Sequence, residues 1–223
     1  MSVVGDILPL AVGVLISPVP IIAVILMLFS TRAKRNSLSF VFGWVVGLAV
    51  VGSVALLIGG TQDLSPGTEP SLAASVFRFA LGLLLLFGAY RRWTRRPARG
   101  QQPTMPRWMQ FVNSFTPRRA FGLALLLSAV NPKNLVLTLA AALAIAQSVL
   151  GGVASAIALA LFVVIASMSV AAPVALYLIS GEGAVRTLNG WKEWLTENNA
   201  TVMIVLLLVF GVILIAEGIN GIV

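Results

Sequence analysis

The sequence predicts an all-α integral membrane protein with six transmembrane helices. They form two inverted three-helix repeats in which helices one and four are broken. Three observations predict this fold: an apolar composition, six apolar stretches long enough to span a bilayer, and a proline break in two of them. The chain has 223 residues, of which 59% are hydrophobic and 10% are charged. Apolar stretches of about 20 residues in such a composition indicate membrane spans.

The six predicted spans divide the chain into three parts. The first repeat is residues 1–90, a basic cytoplasmic loop with an amphipathic segment is residues 91–119, and the second repeat is residues 120–223. Each span suffices for a hydrocarbon core of about 30 Å at 1.5 Å per residue. The predicted spans are residues 3–29, 37–60, 72–90, 120–147, 152–179 and 200–220.

The fourth span contains the most informative stretch of the chain. Pro132 follows Asn131 near the middle of this span. Proline lacks the N–H that a helix needs and disfavours helical geometry in the residue before it, so the helix should break there. Lys133 places an ammonium at the same depth, which costs about 2.5–3.5 kcal/mol on insertion scales. With Asn131 and Asn134 beside it, this break predicts a binding site for a polar or anionic group. The alternative is a simple proline kink with a snorkelling lysine.

The first span carries a similar break. It reads Ser17-Pro18-Val19-Pro20, and Asn131 follows Ser17 by 114 residues, near half the chain. Three spans separate the two starts, so the two broken spans run in opposite directions. Interrupted helices at matching positions of two halves indicate a transporter site at the midplane. We therefore place Ser17, Pro18 and Pro20 in the same predicted substrate site as residues 131–134. The alternative is a chance alignment of two prolines.

Charged residues predict the orientation of the chain. Lysines and arginines outside the spans follow predicted spans one, three and five, so these three loops lie on one side of the membrane. The positive-inside rule makes that side cytoplasmic and puts both termini outside the plasma membrane. The net charge of +8 is concentrated in loops beside apolar spans, so we do not expect a nucleic-acid partner.

Three charged residues lie near the predicted outer leaflet. Arg78 is about two turns inside span three, Asp6 opens span one and Glu217 closes span six. Because a charge inside the membrane usually has a partner, we expect Arg78 to meet Asp6 or Glu217. Such a pair would either lock the repeats together or act as a proton- or ion-linked gate.

Small residues in the second span predict close helix packing. Gly43 and Gly47 have the small-xxx-small spacing that lets two helices approach. Similar alanine spacings occur in span five, so a homodimer remains an open alternative.

The sequence argues against several classes of protein. It contains no cysteine and no histidine, which removes thiolate sites and the commonest general base. It also has no phosphate-binding loop and no catalytic pair of carboxylates. We therefore expect no enzymatic activity, no cofactor and no metal site.

The breaks resemble those of a known group. Six spans with Ser17-Pro18-Val19-Pro20 and Asn131-Pro132-Lys133 resemble the lysine exporter (LysE) superfamily. The opening Val4-Gly5-Asp6-Ile7-Leu8-Pro9-Leu10-Ala11 is similar to its actinobacterial branch of glycopeptidolipid- and sulfolipid-addressing proteins, known as GAP/Sap. The resemblance implies an inner-membrane exporter fold and a role in moving envelope glycolipids outward, alongside larger lipid transporters.

These features predict a secondary exporter whose partners are membrane lipids. Lys133 suits the carboxylate or phosphate of an anionic substrate and does not suit a basic amino acid, because like charges would meet there. One alternative is an accessory protein that docks a lipid transporter or lipid synthase through residues 91–119. Another is efflux of amino acids or organic anions.

Overall fold

The computed structural model describes residues 3–60, 72–94, 114–148 and 150–221, and these residues form helices without any strand. Eight α-helices are present in this part of the chain. A π-helical turn, Leu126–Val130, extends α5, and a 3-10 turn, Gly181–Ala184, joins α7 to α8. The helices are α1 Val3–Leu15, α2 Pro18–Leu28, α3 Ala33–Gly60, α4 Leu72–Thr94, α5 Pro117–Leu125, α6 Pro132–Ala146, α7 Gly152–Ser180 and α8 Val185–Asn220.

The two predicted helix breaks are confirmed. The axis bends by 52° between α1 and α2, and by 62° between α5 with its π turn and α6. In each case proline is the first residue of the second half, Pro18 in α2 and Pro132 in α6. Proline is well tolerated at that position, because the first N–H of a helix has no partner inside the helix.

The described residues support a membrane protein with three to five candidate spans. Three helical stretches are long and apolar enough to cross a membrane, and the two bent pairs can add one span each. The longest stretch, Gly152–Asn220, is counted once because α7 continues into α8 through the short 3-10 turn. The six-span count and the inverted repeat therefore stay predictions.

The helices pack around one buried apolar core. Contacts join α1 to α6 and α7, α3 to α5 and α6, and α4 to α8 along much of its length. The core includes Phe40 and Trp44 of α3, Phe162 of α7 and Phe210 of α8. The two broken helices thus pack against each other and against α3 and α7, and α4 packs mainly on α8.

Gly43 and Gly47 lie at a close helix contact. A Cβ atom on Gly43 would come within 2.6 Å of the Phe121 carbonyl oxygen, and one on Gly47 within 2.0 Å of Ser128 Oγ. The predicted close packing is confirmed, and its partner is the first half of the broken fourth helix.

The C-terminal helix differs from the predicted span. Predicted span six begins at residue 200, whereas α8 begins at Val185 and includes residues 185–199 of the segment predicted to be a cytoplasmic loop. Within that segment Leu188 is buried against Ile25 and Leu28 of α2, while Trp191 and Trp194 are exposed. Packing on α2 thus extends the last helix. The predicted amphipathic segment of the 91–119 loop lies mostly outside the described residues.

Candidate functional site

The break in the first helix removes two hydrogen-bond donors from the backbone. The last four carbonyls of a helix have no partner of their own, and here they belong to residues 13–16. In a continuous helix the N–H of residue 18 would bind the Val14 carbonyl and that of residue 20 the Ile16 carbonyl. Both positions are proline, so neither carbonyl can find that partner. Other groups must satisfy these oxygens, of which that of Val14 is buried and that of Ile16 is partly buried.

Side chains supply the missing donors. Ser17 Oγ lies 2.6 Å from the Val14 carbonyl oxygen. Lys133 Nζ lies 3.2 Å from the Ile16 carbonyl oxygen and 2.5 Å from that of Gly13. It also lies 2.7 Å from Ser17 Oγ. An ammonium has three N–H donors, so these three oxygens account for all of them.

Lys133 is buried without an opposite charge in contact. Its exposed fraction is 2%, and the ion pair found among the described residues does not include it. Carbonyl dipoles at the C-terminal end of α1 carry partial negative charge, which favours a cation there. Hydrogen bonds from a charged donor are also stronger than neutral ones. The arrangement therefore holds a cation with dipoles alone.

The break in the fourth helix is closed by its own asparagines. Asn131 Oδ1 accepts a hydrogen bond from the backbone N–H of Lys133, 3.1 Å away, and caps α6. Asn134 Nδ2 donates to the Leu127 carbonyl of the π turn at 3.0 Å. Ser17 Oγ lies 3.0 Å from Asn134 Oδ1, so this serine at the first break also contacts the second broken helix. Non-helical backbone is tolerated at membrane depth when its polar groups are satisfied in this way.

The structure brings together only some of the predicted site residues. Ser17, Lys133 and Asn134 form one buried cluster, which we call the junction. Pro18 and Pro20 are buried beside it in α2. Of the other two, Asn131 is half-buried and Pro132 is exposed.

Sequence reasoning missed Gly13, which makes the junction possible. A Cβ atom on Gly13 would lie 2.6 Å from the Phe210 ring and 2.8 Å from Leu137 Cδ1. Its carbonyl also accepts the shortest hydrogen bond from Lys133. A single glycine in an apolar helix gives no specific signal, and only its place four residues before Ser17 could have suggested this role.

The predicted outer-leaflet charges are arranged separately from the junction. Arg78 Nε lies 3.8 Å from Glu217 Oε2, and Arg78 also donates to Gln147 Oε1. The Arg78 side chain is 13% exposed and that of Glu217 is 47% exposed. Asp6 is exposed. Gln147, which was not predicted, caps the C-terminal end of α6, so the set connects α4, α6 and α8.

Among the described residues no group of acidic side chains could hold a metal ion. The junction offers oxygen acceptors and one ammonium, an arrangement that suits ionic binding.

Comparison with known proteins identifies the family. No curated protein and no solved structure matches the chain. The sequence model of the family described as "Sap, sulfolipid-1-addressing protein" matches residues 7–220, which include both breaks and the junction. That match does not extend to the broader lysine exporter superfamily, which stays a prediction. The chain belongs to the Sap, sulfolipid-1-addressing protein family.

Proposed function

We propose that this protein is a secondary transporter of the plasma membrane that moves envelope glycolipids, or their anionic precursors, outward by alternating access. The observation that carries the proposal is the buried junction, where an ammonium joins two broken helices. Membership of a family described as lipid-addressing supports a role in lipid transport or localisation. The family match supports a lipid substrate, and Lys133 at the junction supports a binding site for the negative charge of that substrate.

The helix packing supports two halves that move against each other. Each broken helix contacts an unbroken helix of the other proposed repeat, α1 with α7 and α5 with α3. The breaks lie 114 residues apart in the chain and both begin again at proline. In inverted-repeat transporters such paired breaks form the central site, and one bundle rocks against the other.

Lys133 gives a physical link between substrate and motion. In the described conformation its three donors all meet protein oxygens, so a substrate anion has to displace them. A phosphate, sulfate or carboxylate carries a full charge and accepts stronger hydrogen bonds than neutral carbonyls do. Drawing Lys133 toward such a group would release Gly13 of α1, and Ile16 directly after it, from α6. Binding would thereby loosen the contact that holds the two halves together.

The second break offers a lateral approach from the bilayer. Val130 is 61% exposed, and Pro132 beside it is exposed as well. Irregular backbone does not normally face lipid tails unless protein or a polar group covers it. The asparagines already satisfy backbone groups of this break, so its exposure supports only a lateral route by which a lipid headgroup could reach the junction.

The test is the ratio of surface to total envelope lipid in a strain that lacks the gene. We expect envelope lipid to accumulate inside these cells and wild-type protein to restore the ratio. Lys133→Met should fail to restore it, whereas Lys34→Met, the same change at an exposed position of α3, should restore it. Membrane levels of all three proteins are compared so that a folding defect is not read as a transport defect.

An accessory protein without a transport cycle is the second candidate, favoured by one observation. Trp191 and Trp194 are 41% and 57% exposed on the part of α8 predicted to be cytoplasmic, where they could contact a larger lipid transporter or synthase. If folded Lys133→Met restores the lipid ratio and a Trp191→Ser, Trp194→Ser double variant does not, this second function is correct. An unchanged lipid ratio without the gene would instead point to small-molecule efflux.

A further inference from the structure

The three oxygens around Lys133 have the composition of a site for a simple cation. Two are backbone carbonyls, of Gly13 and Ile16, and the third is the hydroxyl of Ser17. Their distances to the lysine nitrogen run from 2.5 to 3.2 Å. Hard monovalent and divalent cations take oxygen ligands of these kinds. We call this set the oxygen cage.

The position of the cage in the fold agrees with its composition. It lies where α1 ends, so the partial negative charge of that helix end is directed at it. Unwound carbonyls and half-helix C-terminal ends are the groups that coordinate cations in broken transporter helices. Each part of the cage is formed by α1 and its break, and only the ammonium comes from α6.

Tethering explains why a lysine occupies this place. The ammonium is attached to α6 through its side chain, so it fills the cage only while α1 and α6 are close. A lysine drawn toward another anion leaves three oxygens without a positive partner. Those of Gly13 and Ser17 are buried, and that of Ile16 is partly buried. Unsatisfied buried acceptors are costly, and the cost falls if a cation from solution replaces the ammonium.

We propose that the oxygen cage is a binding site for a monovalent cation, that Lys133 is its built-in occupant, and that a cation from solution enters when Lys133 leaves. The use of the site in transport rests on the proposed function, since a substrate anion is what would draw Lys133 away. In that cycle a cation from solution restores the positive charge that the cage loses when Lys133 pairs with the anion. The existence of the site can be tested without any transport.

The experiment empties the cage by Lys133→Ala and supplies cations from outside. Purified Lys133→Ala protein in lipid nanodiscs is unfolded by heating in sodium, potassium or methylammonium chloride, or in choline chloride at equal ionic strength. We expect the Tm to rise with the concentration of at least one small cation, by about 5 °C or more at saturation, and to stay unchanged in choline. Choline is too bulky for a site that fits one ammonium group.

Three variants serve as matched controls. Wild-type protein should not respond, because Lys133 fills the cage, and Lys133→Met should not respond, because its side chain occupies the same space. Adding Ser17→Ala to Lys133→Ala removes one of three ligands and should move the cation response to at least tenfold higher concentration. This pattern would support the proposal and identify the ion.

Two results would overturn it. One is a folded Lys133→Ala protein whose Tm is the same in all four salts. The other is Lys133→Ala protein that cannot be recovered folded from cells, because a true cation site would be filled by cytoplasmic potassium during synthesis. Neither result bears on lipid export, which the surface-lipid ratio tests separately.

Discussion

Lys133 and Gly13 are 120 residues apart in the chain and form a hydrogen bond between the two broken helices. The ammonium nitrogen lies 2.5 Å from the carbonyl oxygen. The contact joins α6 to the end of α1 at a point where both are interrupted. The contact meets two requirements at once: a partner for a buried ammonium and a donor for carbonyls at a helix break. Among the described residues no acidic side chain contacts the lysine, and the prolines of the first break remove two backbone donors. The lysine donates hydrogen bonds to the carbonyls at the break, and those carbonyls supply the partial negative charge that the ammonium requires. A charged residue is therefore stable at this depth.

Lys133→Met should destabilise the protein. Methionine has a similar length but cannot donate, so the carbonyls of Gly13 and Ile16 lose the hydrogen bonds they accept from Lys133. Buried unsatisfied acceptors cost about 1–3 kcal/mol, and hydrogen bonds in membranes are worth somewhat less on average. We expect a loss of about 1–3 kcal/mol in the free energy of unfolding, measured by denaturant titration in mixed micelles.

The matched control for this variant is Lys34→Met. Lys34 is exposed at the start of α3, so losing its charge should change stability by less than about 0.5 kcal/mol. Equal stability losses for both substitutions would show that Lys133 is not held by the contacts described above.

Gly13→Ala should be more harmful than an ordinary change from glycine to alanine in a helix. The added methyl group would overlap the Phe210 ring and Leu137, forcing α1 away from α6 and α8. Overpacking of this kind costs about 1–3 kcal/mol. Gly122→Ala in α5 is the control, since nothing lies within 4 Å of its Cβ position. It should leave stability unchanged or raise it by up to about 1 kcal/mol.

A second change can show that the overlap is the cause. Combining Gly13→Ala with Phe210→Leu removes part of the ring that the new methyl group meets. The double variant should then lose less than the sum of the two single losses, because neighbouring substitutions are not additive. Strict additivity would mean that Gly13 does not depend on this contact.

The breaks could be predicted from sequence because proline acts locally. Pro132 and Pro18 restrict their own backbone whatever surrounds them, so the two interruptions follow from a short stretch of residues. The partners of Lys133 could not be predicted, because they are backbone carbonyls that carry no sequence signature. Arg78 illustrates the intermediate case. Sequence limited its candidate carboxylates to two, and only the structure shows Glu217 and the unpredicted Gln147 beside it.

The Arg78 cluster should behave as a structural tie between helices. Glu217→Gln removes only the ion pair, which is long and half-exposed, so its effect should be below about 1 kcal/mol. Arg78→Met also removes the hydrogen bond to Gln147 and should cost about 1–3 kcal/mol. Thermal unfolding in nanodiscs measures both. If Glu217→Gln is as stable as wild type yet changes the surface-lipid ratio, the cluster acts as a gate instead.

The six-span topology predicts where three glycines lie relative to the membrane. Gly151 before α7 and Gly221 after α8 should be outside, and Gly190, between Arg186 and Lys192, should be cytoplasmic. Because the chain has no cysteine, each glycine can be replaced by cysteine as the sole thiol. A membrane-impermeant maleimide should label Gly151→Cys and Gly221→Cys in intact cells, and Gly190→Cys only after permeabilisation. Labelling of Gly190→Cys in intact cells would rule out α7 and α8 as two separate spans in this orientation, and with them the inverted repeat.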